Sequence, residues 1–439
     1  MELLKKIEDR KAAVAIVGLG YVGLPLAVAF AENGFRVIGI DLDRRKVDSI
    51  NAKKSYIADI PSERLARIGA AGATGSLTAY PDYTAIAQAD AAIVCVPTPL
   101  SKTKDPDLSF IVSAADQIAK YMHPGMLVVL ESTTYPGTTE EIVLPRMESS
   151  GGRKLKVGTD FFLAFSPERI DPGRKDYTVR NTPKVIGGVE PNSLQAAMKL
   201  YGSAIERVIP VSSAKAAEMV KLLENTFRAT NIGLVNEIAI MCNRLGVDVW
   251  EVIDAAKTKP FGYMPFYPGP GLGGHCIPID PQYLAWKMRS LNYTARFIQI
   301  AEEVNFGMPA YVVGKVADAL NDDCKSLKGS KVIVLGVAYK ANVDDMRESP
   351  ALEVIDLLEK RGAHVSYNDP HVDSFELEGK RHQSVSIGPS VLRGYDCAVI
   401  TTAHSAYDWK MVVENSKLVV DTRNAAAAVK SKTGRVVKL

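Results

Sequence analysis

Of the five cysteines in this 439-residue chain, Cys276 has the setting most suited to chemistry. It stands in GPGLGGHCIPIDP, residues 269–281, with a glycine run before it and Pro-Ile-Asp-Pro after it. A structural thiol needs no such surroundings, because free cysteine packs as a small hydrophobe. A thiol that must meet a substrate needs a main chain without side-chain bulk, which glycine provides. With cations nearby to stabilise its thiolate, Cys276 would act as a nucleophile. Asp280, held between Pro278 and Pro281, has the place of an acid–base or orienting group. His275 is a tempting base, but adjacent side chains point in different directions, which favours a structural place beside the loop.

Two further constellations stand out. Glu218, Lys221, Asn225 and Arg228 follow one another at i, i+3, i+7 and i+10, the spacing of one helical face. Lys221 and Asn225 lie in an otherwise apolar element that should be buried, and buried polar groups need partners. Near the start, Gly18, Gly20 and Gly23 form GxGxxG between an apolar strand (12–17) and a helix (24–32). Gly18 permits the turn, Gly20 lets the backbone approach a pyrophosphate, and Gly23 brings helix and strand together, with Tyr21 and Val22 completing the loop. Asp41 ends the next strand (35–40), where it would accept hydrogen bonds from the adenosine ribose and repel a 2′-phosphate, selecting NAD over NADP. Lys46 would flank the adenosine end or remain a solvated helix lysine.

These residues need elements to hold them. The apolar runs AAIVCVPTP, LVVLESTT and FFLAFSPE are continuous rather than alternating, as buried parallel strands are. Strands alternating with helical stretches imply a parallel sheet. From 214 to 245 runs one proline-free helix ending at Gly246, roughly 45 Å long. After Lys331 a second strand–turn–helix–strand run begins, with one glycine where the first has three, and CAVITT and LVVDTRN follow as its last strands. The expected class is α/β, with two Rossmann-like doubly wound domains joined by a long central helix and a helical middle domain. The expected boundaries are 1–210 for NAD binding, 211–320 for the central domain with the cysteine loop, and 321–439 for the second Rossmann-like domain.

Composition narrows the partners. A 47% hydrophobic, 23% charged chain with net charge +3 and scattered basic residues gives no reason to expect nucleic acid or membrane. The opening MELLKKIEDRKA has no apolar core of a secretory signal, and no run reaches the roughly 18–20 apolar residues of a membrane span. Cysteines at 95, 242, 276, 324 and 397 are odd in number and form no CxxC pair. No disulfide framework or metal site is expected, and the cytoplasm is the natural compartment.

Together VAIVGLGYVGLPLA, ESTTYPGTT, FSPERIDPG, KLLENTFRATNIGLVNE, GPGLGGHCIPIDPQYL and GVAYKANVDDMRESPALEVI resemble the nucleotide-sugar 6-dehydrogenases, the group of UDP-glucose, UDP-N-acetylglucosamine and UDP-N-acetylmannosamine dehydrogenases. The resemblance runs from about Val14 to Asn424, with six motifs in family order. It implies oxidation of a sugar C6 alcohol to a carboxylate, with two hydrides passed to two NAD molecules in turn. It implies that Cys276 traps the aldehyde as a thiohemiacetal, which becomes a thioester and is released by water. Lys221 would stabilise negative charge on the C6 oxygen, Asn225 and Asp280 would orient that oxygen or a water, and Thr133 and Glu168 would position water on the nicotinamide side. Thr98 and Arg347 would lie with the cofactor, and Arg169, Gly273, Lys340 and Arg423 with the sugar or its diphosphate. A homodimer or higher homo-oligomer through the central helix is expected.

Substrate choice should lie in FGYMPFYPGPGLGG, where Phe266 and Tyr267 offer rings to shape a pocket. This loop resembles the UDP-N-acetylhexosamine branch. UDP-glucose enzymes carry an arginine where gapless counting back from Cys276 finds Pro260, and the mannosamine branch typically lacks the PGPGLGGHCIPIDP wording. UDP-N-acetylglucosamine, oxidised to its uronic acid for surface polysaccharide, is therefore expected, with UDP-N-acetylmannosamine and UDP-glucose as alternatives. Two rivals from other classes remain: a two-electron NAD hydroxyacid-type dehydrogenase, which has no use for a glycine-cradled cysteine, and a non-catalytic NAD-binding scaffold.

Overall fold

The computed structural model describes residues 2–439 apart from 58, 71, 73, 102–104, 150, 151, 153, 171–175 and 431–433. The last three residues of FSPERIDPG lie outside this set. The chain divides into two compact units, residues 1–224 with 282–292, and residues 225–281 with 293–439.

The first unit is built on eight strands: β1 Ala13–Val17, β2 Arg36–Ile40, β3 Ser76–Tyr80, β4 Ala91–Val94, β5 Leu127–Leu130, β6 Phe162–Phe165, β7 Lys184–Gly188 and β8 Val208–Val211. Their order is β3-β2-β1-β4-β5-β6-β7-β8. β1, β4, β5 and β6 are buried at every position, which is why they read as unbroken apolar runs. The order reverses between β1 and β4, so the crevice beyond their C-terminal ends is the expected ligand position of a doubly wound sheet. One pairing departs from the expected parallel sheet. β7 runs antiparallel to β6, because no helical crossover is present among the described residues between them.

The second unit holds a five-stranded parallel sheet, β9 Lys331–Leu335, β10 His364–Asn368, β13 Cys397–Ile400, β14 Leu418–Asp421 and β15 Arg435–Lys438, in the order β10-β9-β13-β14-β15. The hairpin β11 Ser374–Leu377 with β12 Lys380–Gln383 is separate from it. The switch point here lies between β9 and β13, so Gly336 to Lys340 and Thr401–Thr402 stand where a ligand is expected. The helix Ala214–Leu245 ends before Gly246 (φ 69°), and the division between the units falls within it. A second long helix, Arg296–Asp322, continues through Pro309, which leaves the Asn305 carbonyl without its helical donor. Gly271 lies against that carbonyl.

Candidate active site

In the first unit, the turn after β1 is closed by contacts that exclude side chains. Gly18 has φ 91° and donates its N–H to the Ile40 carbonyl at 2.7 Å; a Cβ on it would lie 2.5 Å from the Cys95 carbonyl oxygen. A Cβ on Gly23 would lie 1.8 Å from the Gly18 oxygen. At Gly20 a Cβ would meet nothing within 4 Å, so the backbone there is open to an approaching group. Val22 caps the helix Gly23–Glu32, and Tyr21 is exposed. The Asp41 carboxylate accepts from the Leu19 amide at 2.9 Å, the Asp43 amide at 2.9 Å and Lys46 Nζ at 3.1 Å. These residues fit a dinucleotide: an open main chain at a helix N-terminus for the pyrophosphate, and an oriented carboxylate at the end of β2 for ribose hydroxyls. Lys46, read as flanking the adenosine end, pairs with Asp41 itself. Thr98 is buried, and its carbonyl accepts the Tyr283 hydroxyl at 3.0 Å.

The strand ends of the same unit carry a charged cluster. Lys221 is buried and donates to Thr133 Oγ1 at 2.5 Å. One turn earlier, Glu218 accepts the Thr139 amide and hydroxyl and the Gly137 amide, fixing the loop that follows Thr133; burial pushes its carboxyl up to about 7. Glu168 accepts the Arg169 and Ile170 amides, both at 2.8 Å, and the Lys184 ammonium at 2.8 Å. Burial opposes its ionisation, but Lys184 and the two amides hold it below the ordinary 4.5. The Arg169 guanidinium is turned to protein, donating to Glu224 and to the Pro183 carbonyl.

Asn225, Cys276 and Asp280 belong to the second unit, whereas Thr133, Glu168 and Lys221 belong to the first. Cys276 is partly exposed, and its carbonyl accepts the Ile279 amide at 3.1 Å and the Asp280 amide at 2.8 Å. This turn starts the helix Asp280–Ser290 with Asp280 almost fully buried. Asn225 Nδ2 donates to Asp280 Oδ2 at 2.5 Å. His275 is exposed.

The glycines before Cys276 serve a purpose the sequence reading did not anticipate. A Cβ on Gly273 would meet the Tyr339 Cβ and the Glu348 carbonyl at 2.9 Å, one on Gly274 (φ 99°) the Tyr339 ring at 2.9 Å, and one on Gly271 (φ 142°) the Pro350 Cβ at 2.9 Å. The loop is thus seated flush on the protein's own Tyr339–Pro350 surface, and its glycines are already required for that packing without a ligand. Gly274 also donates its N–H to the Arg347 carbonyl. The Arg347 side chain forms a fork with Asp345. A cavity beside the loop is lined by Pro270, Gly271, Ala338, Tyr339, Thr402 and Arg423, among others. Arg423 reaches the loop, since a Cβ on Gly269 would lie 2.3 Å from its Nη1. Lys340, partly buried, follows Tyr339 in the loop after β9. The rings expected to shape a pocket are held by other rings: Phe266 edge-on to Phe227 at 5.7 Å, and Tyr267 stacked on Trp250 at 6.0 Å.

Two groups went unnoticed in the sequence. Lys184 opens a wholly buried strand, and that lone charge in an apolar run was the available signal. Asp369 and His404, both buried, bracket the Lys340 loop: Asp369 accepts the Val337 and Ala338 amides and His404 Nε2 at 3.0 Å, and His404 Nδ1 accepts the Asn342 amide at 2.9 Å. Nothing in TTAHSAY marks that histidine.

No helix among the described residues is long and apolar enough to cross a membrane. The NAD binding domain of the UDP-glucose/GDP-mannose dehydrogenase family matches residues 12–205, its central domain 215–306, and its UDP binding domain 333–428. The chain is 36% identical to a UDP-N-acetyl-D-mannosamine dehydrogenase of Methanococcus maripaludis strain C7, covering 94% of this chain and 92% of that protein. It is also 36% identical to a UDP-N-acetyl-D-glucosamine 6-dehydrogenase of Pseudomonas aeruginosa, covering 90% and 91%. The solved structure of UDP-D-ManNAc dehydrogenase from Pyrococcus horikoshii superposes with a TM-score of 0.86 at 34% identity, covering 97% and 98%. The chain therefore belongs to the UDP-glucose/GDP-mannose dehydrogenase family, as an NAD-dependent UDP-sugar dehydrogenase.

Proposed function

We propose that the chain oxidises the C6 hydroxyl of a UDP-N-acetylhexosamine to a carboxylate in two oxidations, with Cys276 holding the carbon between them. NAD, bound at residues 18–23 and Asp41, supplies the hydride acceptor for both. Lys221 neutralises the charge that develops on the C6 oxygen as its proton leaves, and Asn225 and Asp280 orient that oxygen. The Cys276 thiolate then adds to the aldehyde carbon while the carbonyl oxygen takes a proton, giving a thiohemiacetal. Loss of a second hydride and that proton leaves a thioester. Water, positioned by Thr133 and Glu168, attacks it, the C–S bond breaks, and the thiolate is regenerated with the carboxylate. Asp280 shares the proton traffic. Lys340 and Arg423 bind the diphosphate or sugar, and Arg347, whose fork with Asp345 must open for this, approaches the cofactor.

The observation that carries this reading is the hydrogen bond from Asn225 to a buried Asp280 whose own amide closes the turn at Cys276. It gathers nucleophile, acid–base group and orienting amide, which neither a two-electron dehydrogenase nor a scaffold requires. Two NADH formed per sugar tests it, and one per sugar refutes it.

Among sugars, Pro260 speaks against UDP-glucose and the PGPGLGGHCIPIDP wording supports UDP-N-acetylglucosamine, with its uronate feeding surface-polysaccharide assembly. UDP-N-acetylmannosamine is the second reading, since the relatives named for the two substrates are equally similar, at 36% each. Initial rates over UDP-glucose and the two N-acetylhexosamines separate them, and a dominant UDP-glucose rate refutes both. The absence of a disulfide among the five cysteines supports a cytoplasmic setting. Exposed Leu223, Phe227, Leu234, Met241 and Leu245 on the helix Ala214–Leu245 support a homodimer through that helix, which light scattering tests.

A further inference from the structure

The first sheet carries a buried charge cluster of which the proposed chemistry uses only Glu168. Lys184 is 4% exposed, Glu131 1% and Glu168 8%. The Lys184 ammonium pairs with both carboxylates, at 2.8 Å with Glu168. The antiparallel pairing accounts for their meeting. β6 and β7 pair Ala164 with Gly188 and Phe165 with Gly187, and the same register continued sets position 184 opposite 168. A parallel β7 would have carried its first residue to the opposite sheet edge. As built, β7 brings Lys184 to the C-terminal ends of β4, β5 and β6, where Cys95, Glu131 and Glu168 follow their strands.

We propose that Lys184 is a positioning residue of the reaction: it sets the place and charge of the Glu168 carboxylate and ties it to the strand end that carries Thr133. This rests on the reading that Glu168 orients water for release of the acid. Among the described residues, few groups face Glu168. Lys184 and the amides of Arg169 and Ile170 favour its anion. Glu131 opposes it as a like charge, and the Cys95 thiol donates to Glu131 at 3.4 Å. The Lys184 ammonium lies 5.7 Å from the centre of the Tyr201 ring. The Arg169 guanidinium is occupied by Glu224. One ammonium thus serves two buried carboxylates. Without it, two like charges would share a dry site and at least one would take up a proton. Burial, helped by the Glu168 charge and opposed by Lys184, already raises Glu131 above the ordinary range, whereas Glu168 is lowered. Environments that push two carboxylates apart in this way assign them different duties.

The test is the pH profile of kcat for acid formation, with NAD affinity and melting temperature measured alongside. In Lys184→Met the acid limb should move up by about 1–3 pH units, as expected for a carboxylate that loses its adjacent cation. In Glu131→Gln the limb should stay, because burial already keeps Glu131 protonated where Glu168 titrates. Lys184→Arg should keep the wild-type limb. A purely structural lysine would lower the melting temperature and leave all limbs where they are, and that result overturns the proposal. If Lys184→Met does not fold, the double variant Lys184→Met/Glu131→Gln, which removes the buried lysine together with its second carboxylate, decides: an upward shift of the limb supports the proposal and an unchanged limb overturns it. Glu168→Gln separates the two levels. Full acid production by it removes Glu168 from the reaction and the Lys184 proposal with it. Impaired Glu168→Gln beside unmoved Lys184 variants overturns the Lys184 role alone.

Discussion

Gly20 and Gly23 sit three residues apart in one turn, yet replacing each by alanine should fail in different ways. At Gly23 the new methyl would fall 1.8 Å from the Gly18 carbonyl oxygen, well inside the 3.0 Å that real Cβ contacts keep. The obstacle is backbone, and Gly18 is itself pinned by its bond to the Ile40 carbonyl, so no rotamer change relieves it. An overlap this deep against backbone takes the upper end of the overpacking cost, about 3 kcal/mol, and the better helix propensity of alanine returns about 1 kcal/mol. A net loss near 2 kcal/mol lowers the melting temperature by about 4–8 °C for a unit of this size. Parting the turn from the helix start should also weaken NAD binding by roughly 30-fold, the equivalent of the same energy. At Gly20 nothing lies within 4 Å of the added methyl, so the melting temperature should hold within about 1 °C. NAD binding should nevertheless weaken about tenfold or more, because the methyl projects where the pyrophosphate approaches. Thermal melts without ligand and fluorescence titration with NAD read the two effects separately. If Gly20→Ala melts as early as Gly23→Ala, or Gly23→Ala matches wild type in both assays, this account of the turn is wrong.

Three further outcomes follow from the second unit. Cys276→Ser should cut uronate formation about 1,000-fold or more while the protein keeps its NAD affinity; undiminished acid by chromatography would remove the thiol from the mechanism. His404→Ala leaves the buried Asp369 carboxylate without its imidazole partner, releases the Asn342 amide and loosens the Lys340 loop. An unmet buried group costs about 1–3 kcal/mol, so KM for the UDP-sugar should rise roughly 5- to 150-fold with KM for NAD unchanged. Burial resists ionisation of Asp369, but His404 and the His371 and Val337 amides hold its carboxyl below the ordinary 3.8. The folded state therefore binds that proton less readily than the unfolded chain, so this contribution to stability is present above about pH 4 and lost as pH falls below it. Urea midpoints of wild type should drop from pH 5 to pH 3, and Asp369→Asn should flatten that dependence.

Much of the molecule was legible because its signals are local. The glycine turn with Asp41, the buried strands and the helix Ala214–Leu245 each announce themselves within a few residues through turn chemistry, unbroken apolar runs or a proline-free stretch ended by Gly246. The middle domain was expected to be helical, but the extent of the helix Arg296–Asp322 was not legible, because a proline such as Pro309 is by local rules a helix breaker.

The linear order of residues by itself determined the dinucleotide turn, the two αβ sheets and the family, since these rest on short-range spacing and motif wording. Only the tertiary structure decided that Gly271, Gly273 and Gly274 lie against Tyr339 and Pro350, that Asp369 and His404 hold the Lys340 loop, and that Lys184 stands between Glu131 and Glu168. Each of these depends on residues far apart along the chain, and on a strand direction that no local pattern encodes. Partners of that kind are selected by packing and by the demand that buried charge be met, which become definite only when the chain is folded.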